Sequence, residues 1–135
     1  MLDHLFNPVP FAQCVIMLFL AVLFLQSGFD KVFDFAGNLS WLQGHFSKSP
    51  LRSQVKVMLI TVTLTEVAAG ALSLAGAVQL AMNDGKALAI YGAQLASINV
   101  LLLFFGQRIA KEYAGAAVLV SYFILCVGAV VLLSW

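Results

Sequence analysis

Charge is what this sequence has least of. Only 10% of its 135 residues are Asp, Glu, Lys or Arg, against 62% hydrophobic, and the mean hydropathy is +1.00. A soluble core could not use so much apolar surface. The net charge of +1 leaves no basic surface for nucleic acid, which is not expected as a partner. Cysteine is nearly absent too: Cys14 and Cys126 stand alone, with no C-x-x-C. A membrane thiol oxidant is therefore disfavoured, as is a disulfide within hydrocarbon, and both read as small packing residues. His4 and His45 are the only histidines, and the topology below puts them on opposite sides of the membrane. A haem held by both, across ~30 Å of hydrocarbon, is not expected. No phosphate loop, zinc spacing, serine-nucleophile motif, lipidation motif, low-complexity tract or internal repeat is present. No residue is assigned as catalytic or metal-binding.

What remains is apolar length. Residues 5–29, 57–83, 87–107 and 113–135 contain no Asp, Glu, Lys or Arg except Glu66. Each has the ~20 residues that a helix needs to cross a bilayer. The first is not expected to be a cleaved signal peptide, because Asp3 and His4 precede it and no Lys or Arg does. The expected fold is all-α: one integral-membrane four-helix bundle over residues 1–135, with helices at about 11–36, 51–82, 87–106 and 113–134.

The ends are marked by local chemistry. Pro10 suits a helix start. Ser27, Lys31 and Asp34 recur at helical spacing opposite Phe29, Val32 and Phe33, so the first helix continues half into the interface and stops at Gly37 and Asn38. Leu39, Trp41, Leu42 and Phe46 among small polar residues predict a short interfacial helix or turn between helices one and two. Pro50 begins the second helix. Its later half carries a stripe of small residues, Ala69, Ser73 and Ala77, suited to close helix packing.

Basic residues are unevenly placed. Lys31, Lys48, Arg52 and Lys56 flank the first connection, Arg108 and Lys111 the third, and Lys86 alone lies in the second. By the positive-inside rule the first and third connections are cytoplasmic and both termini lie outside. The basic cytoplasmic set Lys48, Arg52, Lys56, Arg108 and Lys111 would meet lipid phosphates or a partner.

Glu66 is the lone acid in mid-span, where a charge costs roughly 3 kcal/mol or more. From the ~1.5 Å rise per residue, Glu66 lies ~14 Å deep, Asn99 ~10 Å, Gln94 ~18 Å and Tyr122 ~14 Å. Ser97, Ser121 and Gln26 fall nearby. The predicted intramembrane polar cluster is therefore Glu66, Gln94, Asn99, Tyr122 and Gln26, with Lys31 as a counter-charge if it reaches inward. Two readings stand: a quinone-headgroup or proton-relay site, and a hydrogen-bonded clasp between helices.

The segment Gln26-Ser27-Gly28-Phe29-Asp30-Lys31-Val32-Phe33-Asp34 resembles the end of helix one in the DoxX family, where a glycine or small residue precedes a lysine by three. Glu66-Val67-Ala68-Ala69-Gly70, followed by Gly76, resembles that family's acid and glycines in helix two. The matching positions are Gly28, Lys31, Glu66, Gly70 and Gly76. The connection at 107–117 looks like a subgroup feature. The resemblance implies a small membrane protein; the family takes its name from a subunit of a thiosulfate:quinone oxidoreductase, and other members are linked to membrane oxidoreductase assemblies and thiol stress.

The expectation that follows is a subunit of a respiratory or redox-associated complex in the bacterial inner membrane. It would contact lipid and other subunits, hold no firmly bound cofactor, and assist quinone binding or proton movement. The alternatives are a purely structural accessory subunit and a small proton-coupled transporter centred on Glu66.

Overall fold

A computed structural model of the chain describes residues 3–45, 54–109, 111 and 113–135. After a 3-10 turn at Asp3–Phe6, α1 runs over Pro8–Phe33, α2 over Phe35–His45, α3 over Val55–Ala81, α4 over Ala87–Ile109 and α5 over Tyr113–Leu133. Among the described residues there is no strand, and α1, α3, α4 and the 116–133 part of α5 are each long and apolar enough to cross a membrane. The protein is an all-α helical membrane bundle.

The spans differ from the expectation mainly at three boundaries: α1 already starts at Pro8 rather than about 11, because Pro8 itself suits the first helical turn, and the other two lie at the ends of α1 and α4. The first helix does not stop at Gly37 and Asn38; it breaks at Asp34, whose backbone leaves the helical region (φ −126°, ψ 47°). The Asp34 carbonyl then accepts from both the backbone N–H and the side-chain amide of Asn38, so α2 starts at once and contains Gly37 and Asn38. The predicted interfacial helix is thus α2, and it is longer than expected. At the other correction, α4 runs on to Ile109, past the expected end at 106. The expected start of the second helix at Pro50, together with Lys48 and Arg52, lies outside the described residues.

α3 is the central helix. It packs broadly on α1 and on α4, and α4 packs on α5, which returns with a smaller contact to α1. The turn from α3 to α4 closes through Asn83 (φ 55°) and Gly85 (φ 96°), with the Asp84 N–H bonded to the Gln79 carbonyl. The core is small-grained: Ala69, Ala77, Ala89, Ala93, Ala96 and Ala129 are buried beside Met17, Leu20 and Phe24. In lipid there is no hydrophobic drive between helices, so close backbone approach must supply the contact. Large apolar side chains such as Phe11, Val22, Leu64, Val118 and Ile124 point outward, a surface for acyl chains rather than water. The stripe Ala69, Ser73 and Ala77 is buried.

Glycine fixes the register of α1 on α3. A Cβ on Gly28 would meet Val67 Cγ2 at 2.7 Å, and one on Gly70 would meet the Leu25 backbone nitrogen at 2.8 Å. The helices are antiparallel, so these are two successive contacts of one crossing. The same reciprocity joins α3 to α4, where Gly76 lies against Ala89 and Gly92 against Ser73. Carried along, the α1–α3 register puts Phe33 level with about Val62, so α3 extends roughly 10 Å past the end of α1. α2 folds onto that overhang.

Candidate functional site

The crossing that Gly28 and Gly70 allow brings Lys31 to Glu66. The Lys31 ammonium lies 3.0 Å from Glu66 Oε2 and 3.2 Å from Oε1, and donates to Ser27 Oγ at 3.0 Å. Side chains in a helix tilt toward its N-terminus. Because α1 and α3 are antiparallel, Lys31 leans into the membrane while Glu66 leans out toward the end of α1, and the two meet. The Glu66 side chain is 2% exposed and that of Lys31 20%. Ser27 is one turn before Lys31 on the same face, so α1 presents the cation and its second acceptor together.

The predicted cluster is only partly assembled. Asn99 is fully buried but belongs to a different contact: its amide donates to the Val62 carbonyl and to Thr65 Oγ1, tying α4 to the turn of α3 just before Glu66. Its Oδ1 is buried without a partner. Gln26 and Gln94 are exposed on the outer faces of α1 and α4, and so are not part of the cluster. Tyr122 is half-buried and packs against the apolar core. Ser97 bonds back to the Ala93 carbonyl, and Ser121 to that of Val118. Depth along the chain placed these groups in one layer, but helix rotation sends the two glutamines outward. Thr65 was missed because a threonine adjoining an acid in a helix gives no sign of which neighbour it faces.

The remaining predicted residues are spread as follows. Gly28, Gly70 and Gly76 are buried at helix crossings. Lys56, Arg108 and Lys111 are exposed at the end of the bundle where α3 begins and α4 ends, and Arg108 stacks over the Tyr113 ring at 4.7 Å. Cys14 and Cys126 are buried free thiols. His4 bonds to the Leu80 carbonyl near the end of α3, whereas His45 closes α2 at the opposite end of the bundle.

Sequence reasoning did not foresee a cavity. Where α1 stops and α2 folds away, a space of about 240 Å³ remains. Trp41 and Leu42 of α2, Val55, Met58, Leu59 and Val62 of α3, and Leu102, Leu103 and Gly106 of α4 give it an apolar wall. Lys31, Asn38 and Gln107 are its polar members. Lys31 therefore borders the cavity while its ammonium is held by Glu66 and Ser27. The Gln107 side-chain oxygen is buried and unpartnered. Such a mostly apolar recess with a few convergent polar groups is the usual form of a small-molecule site.

No curated protein and no solved structure matches the chain. A family model does. The DoxX model matches residues 13–96, most of α1, all of α2 and α3 and the first part of α4, a stretch that includes Gly28, Lys31, Glu66, Gly70 and Gly76. The chain belongs to the DoxX family.

Proposed function

We propose that the chain is a small subunit of a redox-associated complex in the bacterial inner membrane, and that the cavity beside Lys31 takes the headgroup of a quinone. The observation that carries this reading is the cavity itself, apolar in most of its wall, with Lys31 as its one charged lining residue. Its volume of about 240 Å³ is below the ~300–1,000 Å³ of sites that enclose drug-sized ligands, which suits a single ring whose tail lies among acyl chains. Charge selects the ligand class. Lys31 is already neutralised by Glu66, so an anion would leave an uncompensated negative charge in an apolar place. A neutral carbonyl adds none. It would take the N–H now in the longer contact to Glu66 Oε1, while Oε2 and Ser27 keep the other two. Any proton moving to or from the ligand would use that N–H. Asn38 and Gln107 are available to the rest of the ring.

The proposed orientation puts Lys56, Arg108 and Lys111 toward the cytoplasm, where they meet lipid phosphates or a neighbouring subunit, and both termini outside. A second reading is supported by the tightness of the ion pair: with Glu66 2% exposed beside a glycine crossing, the pair would serve only to fasten α1 to α3 in a structural subunit. A transporter centred on Glu66 has less support, because the carboxylate faces α1 inside the bundle rather than an outer surface.

Trp41 makes the test direct. In a Trp135→Phe variant held in lipid nanodiscs, a short-chain benzoquinone should quench Trp41 fluorescence saturably. Filling the cavity with Leu103→Phe should remove saturation, and the paired variant Lys31→Met/Glu66→Gln should weaken binding. Linear, unsaturable quenching equal to that of Trp135 in a Trp41→Phe variant would reject the quinone site and leave the structural reading.

A further inference from the structure

We infer that α4 carries a self-association face, on which Gln94 pairs with Gln94 of a second copy of this chain inside the membrane. Gln94 is exposed on α4 and makes no hydrogen bond to any described residue. It lies seven residues after Ala87, so ~10 Å from the nearer end of the helix and ~22 Å from the farther one. A side chain of that length does not reach the interface from such a depth. Acyl chains offer its amide nothing, and polar groups in hydrocarbon must find protein partners. The partner must both donate and accept, because a carboxamide has an NH₂ and a carbonyl.

A second copy meets that need with no further condition. Two chains inserted with the same orientation and related by a two-fold axis along the membrane normal place every residue at the depth of its twin, and a residue beside the axis faces its twin directly. A carboxamide is self-complementary, so two of them close a ring of two N–H···O bonds. An unpaired lysine or acid in the same place would repel its twin. The rest of the face is built for a helix partner. Ala87, Tyr91, Gln94, Ile98, Leu101 and Phe105 are all exposed, at spacings that alternate between four and three residues. That is the seam along which two helices pack at about 20°. A single polar side chain in such a seam fixes register.

Gln26, the other exposed glutamine within a membrane span, does not serve as the partner. It lies at a similar depth, level with about Ala69 of α3 where Gln94 is level with about Ala71, but on α1, which packs on α3 and has little contact with α4. A head-to-tail contact between them would also leave an open chain rather than a closed pair.

The test uses the full chain in native membranes. Cys14 and Cys126 are buried, so the unmodified protein supplies the blank for oxidative cross-linking. Ile98→Cys, one turn along the seam, should give a disulfide-linked dimer. Val22→Cys, equally lipid-facing on α1, should not. In liposomes, self-association measured by energy transfer between labelled chains should weaken about fivefold to thirtyfold in Gln94→Leu, the effect of losing one interhelical polar contact, and should survive in Gln94→Asn. Because Gln94 is exposed and makes no hydrogen bond to any described residue, its replacement should leave folding intact. A monomeric Ile98→Cys, a cross-link from it to a different protein, or undiminished association of Gln94→Leu would each overturn the inference.

Discussion

Gly28 and Gly70 stand one turn apart on the two sides of a single crossing, each pressed against the backbone of the other's helix at Val67 and Leu25. The contact is close enough that Lys31 and Glu66 share a hydrogen-bonded pair. Two positions of the family pattern therefore exist for the geometry of two others.

The two glycines differ in what an added methyl would strike. At Gly70 it meets the Leu25 backbone nitrogen at 2.8 Å, which cannot move without the helix; at Gly28 the nearest atom is a Val67 methyl, with backbone only at 3.2 Å. Gly70→Ala should cost about 1–3 kcal/mol, and Gly28→Ala less. Gly44→Ala, which meets nothing within 4 Å, should be neutral. Unfolding of purified protein in mixed micelles ranks the three; equal losses at all positions would contradict the crossing.

Removing one member of the ion pair should hurt more than removing both. Lys31→Met leaves a carboxylate that is 2% exposed without its cation, a change that costs roughly 3–5 kcal/mol in buried pairs. Lys31→Met/Glu66→Gln leaves no charge behind and should recover most of the loss. A double-mutant cycle measures this coupling. Additive effects would mean the two side chains do not interact.

The buried and exposed amides should behave differently. Asn99→Ala breaks the tie from α4 to Val62 and Thr65 and should destabilise the bundle by about 1 kcal/mol. Gln26→Leu, on an outer face, should leave the stability of the single chain unchanged. A loss at Gln26 matching that at Asn99 would restore the larger polar cluster expected from depth alone.

The break at Asp34 should control the cavity. Asn38 holds α2 to α1 through both of its amide groups, and only the side-chain bond is lost in Asn38→Ala. That variant should cost about 1 kcal/mol or less and should make Trp41 more accessible to a water-soluble quencher such as iodide. Unchanged quenching would show that α2 is held over the cavity by other contacts.

Much of the architecture was legible before any coordinates. Four apolar stretches of membrane length can form only helices, since no other open structure satisfies its backbone in lipid. The acid at Glu66 announced a partner, and Lys31 was the counter-charge expected if it reached inward. Trp41 and Leu42 marked the interfacial helix, although Gly37 and Asn38 misled as stop signals. In the structure Asp34 does the stopping, because its own carbonyl caps the next helix through Asn38.

What the chain by itself determined was length, helicity and the approximate depth of each polar group. Tertiary structure decided rotation. A helix in water advertises its buried side by an apolar stripe, but here the lipid-facing and inward-facing sides are both apolar, so nothing in the pattern said that Gln26 and Gln94 face out while Asn99 faces in. Rotation came instead from where glycine let backbones touch, and that contact fixed which side chains met and where a cavity was left.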